Sequence, residues 1–124
     1  MSDGGLGGIT VEATWVSAQH WKEIAGSLRD AAGDRNVLIH VKLDTHSVDL
    51  EKYDLAALAF LEGRRRKTVQ AEAWLGLEES SHHREGLLIF PGNGNEEWQA
   101  EENEAQLTVK GVAGVAERLF GWAW

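Results

Sequence analysis

Residues 9–16 read ITVEATWV, and this stretch decides the fold. Ile9, Val11, Ala13 and Trp15 fall on one side of an extended chain, and Thr10, Glu12 and Thr14 on the other. Successive side chains of a strand point to opposite faces, so this period of two marks a strand with one face buried. The pattern recurs outward along the chain. Residues 36–44 put Val37, Ile39, Val41 and Leu43 on an inner face. Residues 69–77 read as one strand, with Val69, Ala71, Ala73 and Leu75 set against Gln70, Glu72 and Trp74. Residues 78–85 read as a polar loop. Residues 86–90 form an apolar strand, stopped by the turn signal Pro91-Gly92-Asn93-Gly94-Asn95. Residues 105–110 alternate through Leu107 and Val109, and a last strand places Phe120, Trp122 and Trp124 on one face.

Two stretches depart from this pattern. In residues 17–32, Trp21, Ile24, Leu28 and Ala31 recur at helical spacing, with Ser17 as N-cap and Gly33 as C-cap. They predict a short amphipathic helix over one end or edge of a sheet. Residues 55–61, LAALAFL, are apolar on both faces and read as a buried strand, with a helix as the alternative. About seven short strands with turn residues between them, and one helix, predict an all-β fold: an immunoglobulin-like antiparallel β-sandwich with Greek-key connections. Residues 1–8 are glycine-rich and lack the basic region and apolar core of a signal peptide, so they read as a flexible leader. Residues 9–124 then form a single sandwich domain. A native cytoplasmic start and a start left by removal of a signal or lipid anchor both fit this leader.

Composition narrows the function. The chain has 124 residues, 43% of them hydrophobic and 26% charged, the make-up of one globular domain with a real core. Its net charge of −8 disfavours nucleic acid and anionic membrane surfaces, which need a clustered positive field, and suits cations. There is no Cys, hence no disulfide, thiolate metal site or thiol nucleophile. No run is long and apolar enough to span a bilayer. Arg64-Arg65-Arg66-Lys67 has no interleaved aromatics and reads as a solvated hairpin turn.

The residues with coordination chemistry lie in two segments, Asp44-Thr45-His46-Ser47 and His82-His83. Imidazole is a common ligand for zinc and copper, and three imidazoles suffice for a site with an open position. If the two segments meet at one end of the sandwich, His46, His82 and His83 form that set, with Asp44 as a further ligand or as a partner that orients one. His40 lies six residues before His46, roughly 20 Å along a strand, too far to join. The alternative is that these histidines are solvated or hydrogen-bonded, and that Asp44, Thr45 and Ser47 cap local amides. No nucleophile elbow and no glycine-rich phosphate loop is present, so a binding module is expected rather than an enzyme.

Several segments together resemble a family of uncharacterised bacterial and archaeal exported β-sandwich domains. They are Thr14-Trp15, residues 43–50 (LDTHSVDL), Tyr53-Asp54-Leu55, Trp74, residues 82–86 (HHREG) with Leu88, Phe90 and Pro91, and Glu117-Arg118 with Phe120 and Trp122. The resemblance runs from Ile9 onward, apart from residues 17–32 and the basic turn at Arg64. It implies an extracytoplasmic sandwich, often behind a signal peptide or lipid anchor, in which the LDTHSVDL and HHREG segments belong together. The expected function is an extracytoplasmic copper- or zinc-binding module. The alternative is a structural or protein-interaction domain, with a strand edge or the Trp-rich C-terminus meeting a partner.

Overall fold

A computed structural model describes residues 2–4 (main chain), 8–17, 36–45, 49–65, 68–92 and 94–124. The helix expected over residues 17–32 lies, apart from Ser17, outside the described residues. So do His46, Ser47, Val48, Arg66 and Lys67.

The alternating segments form two antiparallel sheets. The first holds β1 (Ser2–Gly4), β2 (Ile9–Trp15), β3 (Val37–Thr45), β6 (Ala73–Glu79) and β7 (His83–Phe90), in the order β1-β2-β3-β7-β6. The second holds β4 (Ala59–Glu62), β5 (Val69–Gln70), β8 (Glu104–Val112) and β9 (Val115–Ala123), in the order β5-β4-β8-β9. Lettered in chain order from β2, this is A-B-E-D facing C′-C-F-G, the immunoglobulin-type Greek key, with β1 added at one edge. Residues 2–4 of the glycine-rich leader therefore pair with β2, Ser2 opposite Glu12.

Burial follows the period of two. Ile9, Val11 and Ala13 of β2, Ile39, Val41 and Leu43 of β3, Leu88 and Phe90 of β7, Leu107 and Val109 of β8, and Phe120 of β9 join one core between the sheets. A second cluster of Val16, Leu38, Leu87 and Ile89, with Ala73 and Leu75 against it, sits on the outer face of the first sheet.

Three sequence readings change. LAALAFL is both of its alternatives in succession: α1 (Leu55–Leu58), one turn capped by the Asp54 carboxylate, and then β4. The single strand read over residues 69–77 is two strands in different sheets. The chain crosses at Ala71, whose N–H donates to Ala59 O (3.0 Å), and Glu72, whose N–H donates to Ile89 O (2.7 Å). The crossing inverts the phase: Trp74 packs on the core, whereas Ala73 and Leu75 join the outer cluster. The third is α2 (Asn95–Glu102), in a stretch given no element from the sequence; it starts at the last residue of the turn signal. Its Asn95 amide pairs with both main-chain groups of Leu38, at 2.9 Å each, as a strand neighbour would.

Each end of the sandwich has its own lock. At one end Trp98, Trp122 and Trp124 surround Trp15, with ring centroids 6.4, 5.8 and 4.7 Å away. At the other, buried Arg84 donates to Leu50 O (3.1 Å) and Tyr53 O (2.7 Å) and pairs with Glu79. Burial alone would raise the Glu79 carboxyl; hydrogen bonds from Arg84 and Trp74, with the Arg84 charge, outweigh it and hold Glu79 below its ordinary value.

Gly86 and Gly76 face each other across β7 and β6, with Trp74 closing over Gly86 and the Glu79 side chain over Gly76. A Cβ on Gly86 would press on Leu75 O and lie 2.8 Å from Trp74 Cζ2. Gly86→Ala should therefore destabilise the domain by about 1–3 kcal/mol, as overpacking does. A denaturant melt checks this, and an unchanged midpoint would show that β6 yields freely.

Candidate metal site on the outer sheet face

The two histidine-bearing segments do meet, through the sheet itself. Thr45 N–H donates to His82 O (2.9 Å) and Leu50 N–H to Ser81 O (2.8 Å), so the chain after β3 lies against the β6–β7 turn. That turn is tight: the His83 N–H donates to Ser80 Oγ (3.0 Å) and the Ser80 N–H to His83 O (2.8 Å). The strands consequently run further than the sequence suggests. Asp44 pairs with His83 in the β3–β7 ladder, and Glu78 with Glu85 in the β6–β7 ladder.

A bulge makes the second pairing possible. Gly76 stands opposite Gly86, and the next pair is Glu78 with Glu85, which leaves Leu77 unmatched. Without the extra residue, Leu77 would face Glu85 and Glu78 would turn towards the core. The bulge thus re-aims Glu78 onto the outer face, a common use of bulges beside sites.

Five side chains converge there. The His83 Nδ1–H donates to the Asp44 carboxylate. That bond turns Nε2 towards Glu78 Oε2 at 3.4 Å and Glu85 Oε1 at 3.8 Å. His40 Nε2–H holds the other Glu85 oxygen at 2.8 Å. One ligand atom each from Glu78, His83 and Glu85 lie within 4.8 Å of one another. Glu78 is exposed, and His83 and Glu85 are half-buried. Lys42 stands opposite Glu85 in the ladder, but three carboxylates leave the cluster negative.

The electrostatics follow from this contact set. The hydrogen bond to Asp44 raises the His83 pKa above its ordinary value; partial burial opposes this, and the charges of Asp44, Glu78 and Glu85 add to it. Positive charge at Nε2 is therefore favoured, whether a proton or a metal ion carries it.

Of the four residues expected as ligands, Asp44 and His83 are brought together, with Asp44 behind the imidazole rather than in front of it. His82 is exposed and lies outside the group of ligand atoms, and His46 lies outside the described residues. Asp49, from the same segment, caps the Leu50–Lys52 turn, accepting from Glu51 N–H at 3.0 Å. Sequence reasoning missed both glutamates and set His40 aside for its distance from His46. Glu85 was findable, since it is two residues from His83 and shares its strand face. Glu78 was not, because the bulge decides where it points. A groove lined by Glu62, Gln106, Gly121 and Trp122 lies on the other sheet and shares no residue with this cluster. Compared with known protein families, curated proteins and solved structures, the chain matches none.

Proposed function

We propose that this domain binds a divalent transition metal, zinc or copper, on the outer face of its five-stranded sheet. The ligands are His83 Nε2, Glu78 and Glu85. Asp44 orients His83, and His40 holds Glu85. The carrying observation is the spacing around Nε2. A tetrahedral ion with bonds of about 2.0–2.2 Å separates its ligand atoms by roughly 3.4 Å. The two carboxylate oxygens stand 3.4 and 3.8 Å from Nε2, too long for strong hydrogen bonds but close to that edge length. A carboxylate behind the ligating imidazole is the usual outer support of such sites. One imidazole and two carboxylates leave a fourth position for water. The proposal keeps the extracytoplasmic setting that the family resemblance implies.

The competing reading is a structural one, favoured by the raised His83 pKa: a protonated His83 stitches β3, β6 and β7 together with no metal. The two readings have opposite pH signs. A His whose folded pKa is raised contributes stability that is complete below its unfolded value, near 6.5, and is lost as pH rises through the folded value. Metal needs the neutral ring, so its affinity grows over that same rise.

Calorimetric titration with Zn(II) and with Cu(II), and melting with each ion, should be run at about pH 6 and about pH 8. Both ions should bind more tightly at the higher pH and raise the melting temperature, copper more than zinc. His83→Ala should abolish binding, and Asp44→Asn should weaken it about 10–100-fold. His82→Ala should change it little. Absence of heat and of any melting shift with either ion at the higher pH would end the metal reading and leave the stitched, metal-free sandwich.

A further inference from the structure

We propose that Lys42 and the metal ion are alternative cations for one oxygen, Glu85 Oε1, and that Glu12 receives the lysine when the ion binds. This exchange rests on the metal reading of the His83 cluster and adds to it the group that sets its affinity. The sheet registers place four charged residues in one row across the outer face. Glu12 of β2 stands opposite Lys42 of β3, Lys42 opposite Glu85 of β7, and Glu85 opposite Glu78 of β6. Lys42 is half-buried and Glu12 is exposed. Residues directly opposite on one face have Cβ atoms about 4.5–5.5 Å apart, so the flexible four-carbon stem of a lysine reaches the carboxylate on either side.

The neighbours of Lys42 along its own strand are committed elsewhere. His40 and Asp44 lie two residues away on the same face of β3. His40 donates to Glu85 Oε2 at 2.8 Å, and Asp44 accepts from His83. This leaves Glu85 Oε1. It stands 3.8 Å from His83 Nε2, too far for a hydrogen bond, and it is the oxygen that a metal ion on Nε2 would take. Among the described residues no ion pair holds the Lys42 ammonium in place.

Without metal, the ammonium offsets the charge of Glu85. With metal, both Glu85 oxygens are engaged, and a divalent ion repels the ammonium. Glu78 is then a ligand as well, so Glu12 is the carboxylate of the row left for Lys42. The exchange lowers the affinity of the site, since each ion must displace a cation. It also makes that affinity depend on a residue that never touches the ion. Glu12 lies two strand spacings from Glu85, roughly 10 Å, where a direct charge effect is largely screened at about 0.15 M salt.

Zn(II) affinity, measured by competition with a chromophoric chelator at about pH 8 and about 0.15 M NaCl, tests the exchange. Lys42→Met should bind about tenfold more tightly than the parent, the order of effect of one partly screened charge. Lys42→Arg, which keeps the charge, should stay within about threefold of the parent. Glu12→Gln should weaken binding about threefold in the parent and change nothing in the Lys42→Met background, where no lysine needs a partner. Without metal, Lys42→Met should melt below the parent; saturating zinc should raise its melting temperature by more. Tighter binding by Lys42→Met, or binding by it where the parent shows none, sustains the exchange. Equal affinities of parent and Lys42→Met, with only the metal-free melt changed, overturn it and leave the metal site standing. Absence of binding by both overturns the metal reading and the exchange together. An equal effect of Glu12→Gln in the two backgrounds overturns the transfer to Glu12.

Discussion

A chain lacking residues 119–124 should fail to fold. Those residues remove the second half of β9, including Phe120, which is 1% exposed and stands opposite Leu107 in the core ladder. Trp122 and Trp124 leave with it, taking away two of the three rings around Trp15. Loss of a single buried Phe or Trp costs about 3–5 kcal/mol. A domain of this size has only about 5–15 kcal/mol in all. The truncation also bares the β8 main chain from Glu104 to Thr108, which has paired with residues 119–123. Far-UV circular dichroism and a urea melt of the truncated chain decide the matter. A cooperative melt at the parent's midpoint would show that the strand is peripheral and that the core closes without it.

Trp98→Ala should be the most damaging single substitution outside the strands. Trp98 is 1% exposed, and its Nε1–H donates to Glu104 O at 3.0 Å. It packs 6.4 Å from Trp15, and a Cβ on Gly63 would crowd first the Glu102 side chain at 2.8 Å and then Trp98 Cζ2 at 3.0 Å. Truncation leaves a cavity the size of an indole and an unpaired carbonyl, at a cost of about 3–5 kcal/mol. Because α2 rests on this ring, the helix and its Asn95 clamp on Leu38 should loosen as well. Trp124→Ala is the matching control: Trp124 is 46% exposed, and its removal should cost less than about 1.5 kcal/mol. Equal losses from the two variants would mean that Trp98 anchors nothing beyond its own area.

The strands that were legible are those whose burial is written one residue at a time. In β2, β3, β8 and β9 the inward positions meet the opposite sheet and are apolar apart from Thr45 and Arg118, so the period of two survives in the sequence. β5 and β6 obey the same rule, but the change of sheet at Ala71 and Glu72 shifts its phase, and two short patterns fuse into one apparent strand. α2 was illegible for a different reason. Its sequence, NEEWQAEE, buries little beyond Trp98 and Glu102, so no apolar stripe exists for a helical period to mark. The histidine–carboxylate cluster divides in the same way. Asp44 and His83 stand out by residue type and by the likeness of their segments. Glu78 enters only through a bulge, and His40 only by way of Glu85, which are facts of pairing and not of composition.

The crowding of indoles at one end has a spectroscopic consequence. Rings as close as Trp15 and Trp124, 4.7 Å between centroids and inclined at 55°, couple their excited states. Their far-ultraviolet transitions will overlay the strand signal, so a helix content fitted from that spectrum will be distorted by chromophores rather than by backbone. Emission, in turn, is spatially divided. Trp15, Trp98, Trp122 and Trp124 exchange excitation among themselves at one end. Trp74 stands apart from them, hydrogen-bonded to Glu79 and beneath the Arg84 guanidinium, 5.5 Å from its ring centroid, on the strand that carries Glu78. A paramagnetic Cu(II) ion seated at His83 would quench Trp74, on the strand that carries Glu78. The light lost would then follow occupancy of the site.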